Sequence, residues 1–273
     1  MFTTGKTVLI TGSTDGIGKQ TAKSLIQQGA RVLIHGRSAA KVQSTMEEIK
    51  QEHPHAELQG YVADFSSLEA VRFLAEEISA KEQVLHVLIN NAGTYFPDFQ
   101  LSQDGFELTF AVNQLAPFLL TLLLLQKMKS SQPARIITVV SIAHNVRDLD
   151  ISKISDPNAF KAWNAYKISK FANILFTYEL AARLEGSGVT ANCLHPGAVD
   201  TKMLHSAFPT TQGISPVVGA KTSIYLASSD EVAGTNGGYF EDCKPAQSAP
   251  QTYDKELQKA LWDQCEKWVG FSV

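Results

Sequence analysis

Thr11-Gly12-Ser13-Thr14-Asp15-Gly16-Ile17-Gly18 is the stretch on which the fold is read. A short apolar run with β-branched residues, Val8-Leu9-Ile10, comes just before it. A helical pattern comes after it, with Ile17, Ala22, Leu25 and Ile26 apolar and Gly29 as the stop. Val32-Leu33-Ile34 then reads as a second strand. In a strand, Gly-rich turn, helix and strand, the glycines let the backbone approach a phosphate closely. The helix N-terminus adds unpaired N–H groups and the positive end of its dipole. Gly12, Ser13, Thr14, Gly16, Ile17 and Gly18 are therefore candidate cofactor-binding residues.

The alternation continues outward from this unit. Helical patterns at 41–51, 68–81, 106–129, 163–184 and 215–228 are interleaved with strand patterns at 59–64, 84–89, 135–140 and 189–194. A last short strand is expected at Gly238-Tyr239-Phe240, and the Pro-rich patch from Pro245 to Pro250 reads as a surface connection. Such alternation implies an α/β fold, a doubly wound parallel sheet with helices on both faces and right-handed crossovers. Ligands of such sheets bind at the carboxyl ends of the strands. The Gly turn, Asp64, Asn90-Asn91-Ala92-Gly93, Ser141 and Pro196-Gly197 all fall at expected strand ends, so one crevice should collect them.

Composition narrows the function. The net charge of −3 gives no polybasic surface for nucleic acid or anionic membrane. Cys193, Cys243 and Cys265 match neither a zinc spacing nor a disulfide framework, so no metal site is expected. Free thiols in a reducing, cytoplasmic compartment are the expectation. Met1 to Lys6 is too short for a signal peptide. Leu115 to Leu125, the most apolar stretch, is shorter than the roughly 20 residues of a membrane span, so a buried helix is expected there and no span.

Tyr166 and Lys170 lie four apart on one helix face. A phenol has an ordinary pKa of about 10, and a fixed ammonium nearby favours phenolate. The pair is a candidate proton donor and acceptor for a carbonyl/alcohol interconversion. Taken singly, such pairs are common on helices, Ser141 could be a strand-end cap and Asn113 a packing residue. Their order along the chain gives them weight.

With Thr11-Gly12-x-x-x-Gly16-x-Gly18, Asn90-Asn91-Ala92-Gly93, Asn113, Ser141, Tyr166-x-x-x-Lys170 and Pro196-Gly197 in this order, the chain resembles the classical short-chain dehydrogenases/reductases over nearly its whole length. The segments 165–184, 195–201 and 238–244, and the long connection from Ala143 to Trp163, resemble the retinol dehydrogenase-like branch. The resemblance implies one Rossmann-type domain over residues 1–273. Its cofactor-binding part covers about 1–140, its catalytic and substrate-binding part about 141–273, and its substrate loop about 202–216.

The resemblance also implies roles. Tyr166 exchanges a proton with the substrate oxygen, Lys170 lowers the Tyr166 pKa and holds the nicotinamide ribose, and Ser141 donates to the substrate oxygen. Asn113 holds a water that links Lys170 to solvent. Asn91, Ala92, Gly93, Pro196, Gly197, Val199 and Thr201 join the cofactor site, with Asp64 and Phe65 at the adenine edge. His195 is expected to be a structural strand-end residue. Strand two ends His35-Gly36-Arg37, with no carboxylate and a guanidinium available for a phosphate, which favours NADP(H) over NAD(H). Asp15 in the Gly-rich loop argues the other way.

Met203, Leu204, Ala207, Phe208 and Ile214 make the substrate loop apolar, and Phe96, Phe99 and Trp163 are further candidates. The expected substrate is a small apolar aldehyde, ketone or alcohol, bound through Ser141, Tyr166, Met203 and Phe208. A homodimer or homotetramer through the helices of Asn113 and Tyr166 is implied, with Leu119, Leu122, Leu123, Phe171, Leu175 and Tyr178 as the face unless they turn to the sheet. A cofactor-sensing regulator and a nucleotide-sugar epimerase or dehydratase are the competing readings. The first usually lacks the Tyr or Lys, and the second needs a larger C-terminal domain.

Overall fold

Eight strands form one sheet in the order β3-β2-β1-β4-β5-β6-β7-β8 in this computed structural model, which describes residues 1–146 and 149–272. The strands are β1 (Thr7–Ile10), β2 (Arg31–Gly36), β3 (Leu58–Val62), β4 (Val87–Asn90), β5 (Ala134–Val139), β6 (Val189–His195), β7 (Tyr239–Glu241) and β8 (Lys244–Ala246). All neighbours pair in parallel except β7 and β8, which form an antiparallel hairpin. The strand order reverses between β1 and β4, where Val8 pairs with Val32 on one side and Val87 on the other. That switch point opens a crevice at the carboxyl ends of the strands.

Period-2 alternation builds the two cores. Leu9, Leu33 and Leu88 face one helical layer, while Val8, Ile10, Val32, Ile34, Val87 and Ile89 face the other. The Leu9 layer holds α3 (Leu68–Lys81), the long apolar helix, α6 (Ala162–Arg183) and α10 (Lys255–Val269). The opposite layer holds α1 (Gly16–Gln27), α2 (Ala39–Glu52) and α9 (Lys221–Ser228). Two short helices, α7 (Lys202–Ala207) and α8 (Pro216–Gly219), stand over the carboxyl edge of the sheet.

The long apolar helix starts as α4 (Leu108–Phe110), widens into a π turn at Ala111–Leu115 and continues as α5 (Ala116–Ser130). Glu107 caps its start by accepting from Thr109 N and Phe110 N. The helix runs 23 residues, Leu108 to Ser130, close to the helical pattern at 106–129. Its length and hydropathy would suffice to cross a bilayer, yet 89% of its apolar window is buried inside the fold.

Two expectations for the second half of the chain change, and one further element is added. The substrate loop contains a helical turn, α7, capped by Thr201. The Pro-rich patch carries β8, and Ser248 and Ala249 beyond it are buried rather than superficial. A whole helix, α10, follows. Its apolar residues Leu257, Leu261, Trp262, Cys265, Trp268 and Val269 recur at helical spacing, Asp254 caps it and Gly270 ends it in the left-handed conformation.

Trp262 of α10 stacks on Phe176 of α6 and meets Phe118 of α5 edge-on. The helix thereby covers apolar surface of α5 and α6 within the chain. The side chains expected as an oligomer face turn inward: Leu119, Leu122, Phe171, Leu175 and Tyr178 are buried by their own chain, and Leu123 partly so. Of the long connection before α6, Arg147 and Asp148 lie outside the described residues.

Candidate active site

A cleft of about 1330 Å³ runs along the carboxyl ends of the strands, large enough for a dinucleotide with a substrate beside it. Gly12, Thr14, Gly16, Ile17, Gly18, Arg37, Asp64, Phe65, Asn91, Ala92 and Gly93 line one end. Ser141, Tyr166, Lys170, Pro196, Gly197, Val199, Thr201, Met203 and Phe208 line the other. Of the expected catalytic and cofactor residues, Ser13 and Asn113 stand behind the wall, and of the further candidates for the substrate end, Phe99 and Ile214 do not line it.

The Gly-rich loop is held from three sides. Gly12 has φ +64, and a Cβ there would come 2.9 Å from Ala92 Cα, so only glycine lets the β1 and β4 turns touch. The Asn91 amide donates to the carbonyls of Thr11 (2.8 Å) and Gly12 (3.2 Å). Thr11 Oγ1 in turn accepts from Asn91 N and Ala92 N, both at 3.0 Å. Ser13 is fully buried, where its hydroxyl accepts from His35 N at 2.9 Å. It binds the loop to β2 rather than facing the cleft.

The sequence marks His35 only as a strand end, and in the structure it is the loop's third anchor. Gly12 N donates to His35 Nδ1 at 3.2 Å, so the ring proton sits on Nε2 and donates to the Ala63 carbonyl at 3.2 Å. Phe65 stacks on the ring at 4.6 Å, and burial pushes the His35 pKa down to about 4. A neutral imidazole thus ties the Gly loop to the end of β3.

At the reacting end, burial raises the Tyr166 pKa, with the Ser141 hydroxyl beside it acting the other way. Lys170 is 4% exposed and donates to the Val139 carbonyl at 3.0 Å, and its Nζ lies 5.9 Å from the Tyr166 ring centre. Burial without a carboxylate partner brings the Lys170 pKa down to about 8. In the protein alone the Tyr166 pKa is thus raised rather than lowered as expected, because burial penalises the phenolate more than the Ser141 hydroxyl stabilises it.

Ser141 Oγ accepts from Ala143 N at 3.1 Å, which leaves its own proton to donate on the Tyr166 side, toward the cleft. Asn113 is tied into the fold by both its side chain and its backbone. Its side chain accepts from Thr94 N (2.8 Å) and donates to Thr94 O and Ser169 Oγ (both 3.0 Å). Its carbonyl, in the π turn, accepts from the Asn173 amide at 2.8 Å. Asn113 pins the turn after Gly93 to α6.

Aromatic side chains surround Tyr166. Trp163, one helical turn before it, stacks on it at 5.5 Å and meets Phe208 edge-on at 5.0 Å. Tyr95 approaches Tyr166 edge-on at 6.2 Å. The spacing of Trp163 on the Tyr166 face carried that signal, while Tyr95 had none beyond its place after the Asn-Asn-Ala-Gly turn. Phe96 also lines the cleft, and Phe99 packs on Phe160 instead. Lys202 of α7 reaches Asp15 of the Gly loop at 2.5 Å across the mouth. His195, at the end of β6, accepts from Ile142 N through Nδ1 at 3.1 Å. Among the described residues no group of three or more His, Cys, Asp or Glu could hold a metal.

A parallel sheet with a Gly-rich phosphate turn at its switch point, and a Ser, Tyr and Lys at the far end of the same cleft, defines a dinucleotide-dependent oxidoreductase. The chain belongs to the short-chain dehydrogenase family, whose model matches residues 6–212. Within the family it falls in the retinol dehydrogenase-like branch, which acts on alcohol/carbonyl pairs with a nicotinamide dinucleotide. It is 41% identical to human (Homo sapiens) retinol dehydrogenase 14, over 97% of this chain and 87% of that one. It is 39% identical to human retinol dehydrogenase 11, over 98% and 87%. Among solved structures, an uncharacterised protein from Mycobacterium paratuberculosis matches with a TM-score of 0.82 at 28% identity, covering 99% of this chain and 96% of that one. A short chain dehydrogenase from Escherichia coli CFT073, crystallised with NADPH, matches with a TM-score of 0.74 at 25% identity, covering 88% and 98%.

Proposed function

We propose that the chain is an NADP(H)-dependent reductase of apolar aldehydes or ketones, running in reverse as an alcohol dehydrogenase. The observation that carries this reading is the convergence of Ser141, Tyr166 and Lys170 on the aromatic end of one cleft whose other end is a Gly-rich loop. The cradle fits the cofactor. The first turn of α1 has N–H groups without helical partners, and Gly16, Ile17 and Gly18 bring them to the cleft wall. Lys170 and Thr201 would hold the nicotinamide half, and Asp64 and Phe65 the adenine half. A bound nicotinamide supplies or accepts the hydride at the carbonyl carbon.

The protein's own part is proton handling and orientation. A phenol kept protonated by burial is in the form that reduction needs, ready to donate to the carbonyl oxygen. The Ser141 hydroxyl donates to the same oxygen and stabilises its growing negative charge. Lys170 stands close enough to share the charge that Tyr166 takes on when it gives up its proton. Trp163, Tyr95 and Phe208 exclude water and favour an apolar partner. The names of the relatives point to retinoids, and the aromatic walls suit a flat, conjugated substrate.

Arg37 is exposed at the cleft wall just past β2, and that strand end, His35-Gly36-Arg37, carries no carboxylate to oppose a 2′-phosphate. Charge-assisted bonds of about 1.5–3 kcal/mol predict that Arg37→Ala weakens NADPH about 10- to 100-fold and NADH little. Equal losses for both cofactors would remove the NADP argument. A cytoplasmic setting belongs to the same proposal, because three unpaired cysteines suit a reducing compartment. The decisive assay is NADPH and NADH oxidation with retinaldehyde, a steroid ketone and an aromatic ketone. Turnover that disappears in Tyr166→Phe while NADPH binding persists supports the reading. Turnover surviving in Tyr166→Phe overturns the acid/base assignment. Absence of turnover in the wild type, with cofactor binding intact, favours a cofactor sensor.

A further inference from the structure

We infer that His144, which lies outside the cleft, is a positioning residue for Ser141, and that it acts by clamping the Ser141 carbonyl to the C-terminal segment. The inference rests on the proposed role of Ser141 as donor to the substrate oxygen.

His144 is 6% exposed and does not line the cleft. Both of its ring nitrogens are occupied. Ala249 N–H donates to Nε2 at 3.0 Å, so Nε2 carries no proton. The proton is therefore on Nδ1, which donates to the Ser141 carbonyl at 2.6 Å. Tyr239 closes over the ring edge-on at 5.2 Å, which fixes its plane. A neutral imidazole in one tautomer thus bridges the backbones of Ser141 and Ala249, the latter 105 residues from His144 in sequence.

Each end of the bridge leads to the reacting groups. At one end, the turn from Ser141 to His144 is the turn that aims the Ser141 hydroxyl. Ala143 N–H occupies one lone pair of that hydroxyl, and His195 Nδ1 takes Ile142 N–H. At the other end, Ala249 belongs to a segment fastened to α6. Ser248 Oγ bonds Tyr178 Oη at 2.7 Å and Thr252 Oγ1 at 2.6 Å, and Tyr253 stacks on Tyr178 at 5.4 Å. Tyr178 lies on the helix that carries Tyr166 and Lys170. His144 therefore fixes the end of β5, with its serine, to the helix bearing the tyrosine. Hydride and proton transfer need both hydroxyls on one oxygen, and small errors in such placement are costly.

The test separates positioning from packing. An Asn side chain can place its amide N–H near Nδ1, keeping the bond to Ser141 and losing the one from Ala249. A Gln side chain can place its oxygen near Nε2, keeping Ala249 and losing Ser141. Phe keeps the ring against Tyr239 and loses both bonds. The full-length chain and its His144→Asn, His144→Gln and His144→Phe forms are compared for kcat and KM in NADPH oxidation with retinaldehyde and 4-nitrobenzaldehyde, for NADPH affinity and for Tm. His144→Asn should hold kcat within about 3-fold, and His144→Gln and His144→Phe should lose about 10-fold, with NADPH affinity unchanged throughout. Asn and Gln each forfeit one bond, so their Tm values should fall alike while their kcat values separate.

Losses that follow Tm in all three forms, or a fully active His144→Phe, would overturn the inference. Nitrogen-15 NMR of the wild-type histidines tests it without turnover. The Nδ1–H tautomer is expected for His144, and an imidazolium or an Nε2–H tautomer would overturn the clamp. Failure of Tyr166→Phe to lose turnover strikes the proposed function instead. That outcome is distinct from any result of the His144 series.

Discussion

Between Gly12 and Gly18, and again between Asn91 and Gly93, the cleft wall is backbone, locked by the Thr11 hydroxyl, the Asn91 amide and the His35 ring. Between Trp163 and Phe208 the wall is side chain. Trp163 is 38% exposed and Phe208 41% exposed, and Phe208 follows a six-residue helix on the rim. The wall of the first half has no room for a side-chain atom at Gly12 or Gly18, so it accepts one shape of ligand and little change at those positions. The second half is half-open and aromatic, so it can be re-tuned without loss of the fold. A dehydrogenase with a fixed cofactor and an adaptable substrate needs that division.

The sharpest way to break this contrast is a methyl group in the locked half. A Cβ at Gly18 would run into the Gly12 carbonyl oxygen and the Asn91 amide, which are both part of the lock. Gly18→Ala is expected to weaken NADPH binding by about 100-fold or more, in line with overpacking costs of about 1–3 kcal/mol added to the loss of loop geometry. Isothermal titration of the cofactor measures it. A variant that bound NADPH within a few-fold of wild type would mean the loop has slack that its packing does not suggest.

The His35 anchor gives the same half a pH signature. Its folded pKa of about 4 lies below the ordinary histidine value of about 6.5. Between those values the unfolded chain binds a proton that the folded chain refuses, so stability is fully present above about pH 6.5 and falls with pH. The loss approaches about 3 kcal/mol near pH 4, on the order of 1.4 kcal/mol for each pKa unit. Denaturant midpoints of the cofactor-free protein from pH 7 to 4.5 should show this slope. His35→Asn, which can still accept from Gly12 N, should flatten it. Parallel slopes in both proteins would assign the acid sensitivity elsewhere.

The contrast between the halves also explains what the sequence shows and hides. Backbone-built sites need particular residue types at fixed spacing, so Gly12, Gly16, Gly18, Asn91 and Gly93 are visible in the chain itself. Tyr166 and Lys170 are visible for the same reason, since helical geometry fixes their relation. Contacts across long sequence separations leave no local pattern. Neither Ser13 turning inward to His35, nor His144 reaching Ala249, nor Asn173 taking the Asn113 carbonyl could be read before the fold brought them together. The burial of Tyr166 that raises its pKa is likewise a tertiary property. Helix α10 is a different case. Its apolar spacing, Asp254 cap and Gly270 stop are local signals present in the sequence, overshadowed by the Pro-rich stretch from Pro245 to Pro250 that precedes them and reads as a surface connection.

In the open half, smaller effects are expected. Phe208→Ala removes the edge-on partner of Trp163 without disturbing a backbone bond of the Gly loop. An aromatic pair contributes about 0.5–1.5 kcal/mol beyond its area, so KM for an apolar aldehyde should rise about 3- to 10-fold while NADPH affinity stays unchanged. Steady-state kinetics with retinaldehyde and a smaller aromatic aldehyde would sharpen the point. The larger substrate should suffer more. A change in NADPH affinity comparable to the change in KM would mean that the two halves are coupled.

The smallest effect is expected where the halves meet. Lys202 and Asp15 join the substrate rim to the Gly loop at 2.5 Å, and the Lys202 hydrogen bond holds the Asp15 carboxyl below the ordinary carboxylate range. Both side chains are largely exposed, at 83% and 63%, so water and salt screen the pair. Exposed ion pairs of this kind contribute about 0–1 kcal/mol, partly because two flexible side chains must be ordered to form them. Lys202→Gln is therefore expected to change neither Tm nor NADPH affinity by more than a few-fold equivalent, and the difference should vanish as ionic strength rises and the Debye length falls to about 3 Å near 1 M. NADPH titrations at low and high salt decide it. A large, salt-resistant loss would show that Lys202 serves the locked half of the cleft as well as the open one, and the division drawn between them would have to move to the far side of α7.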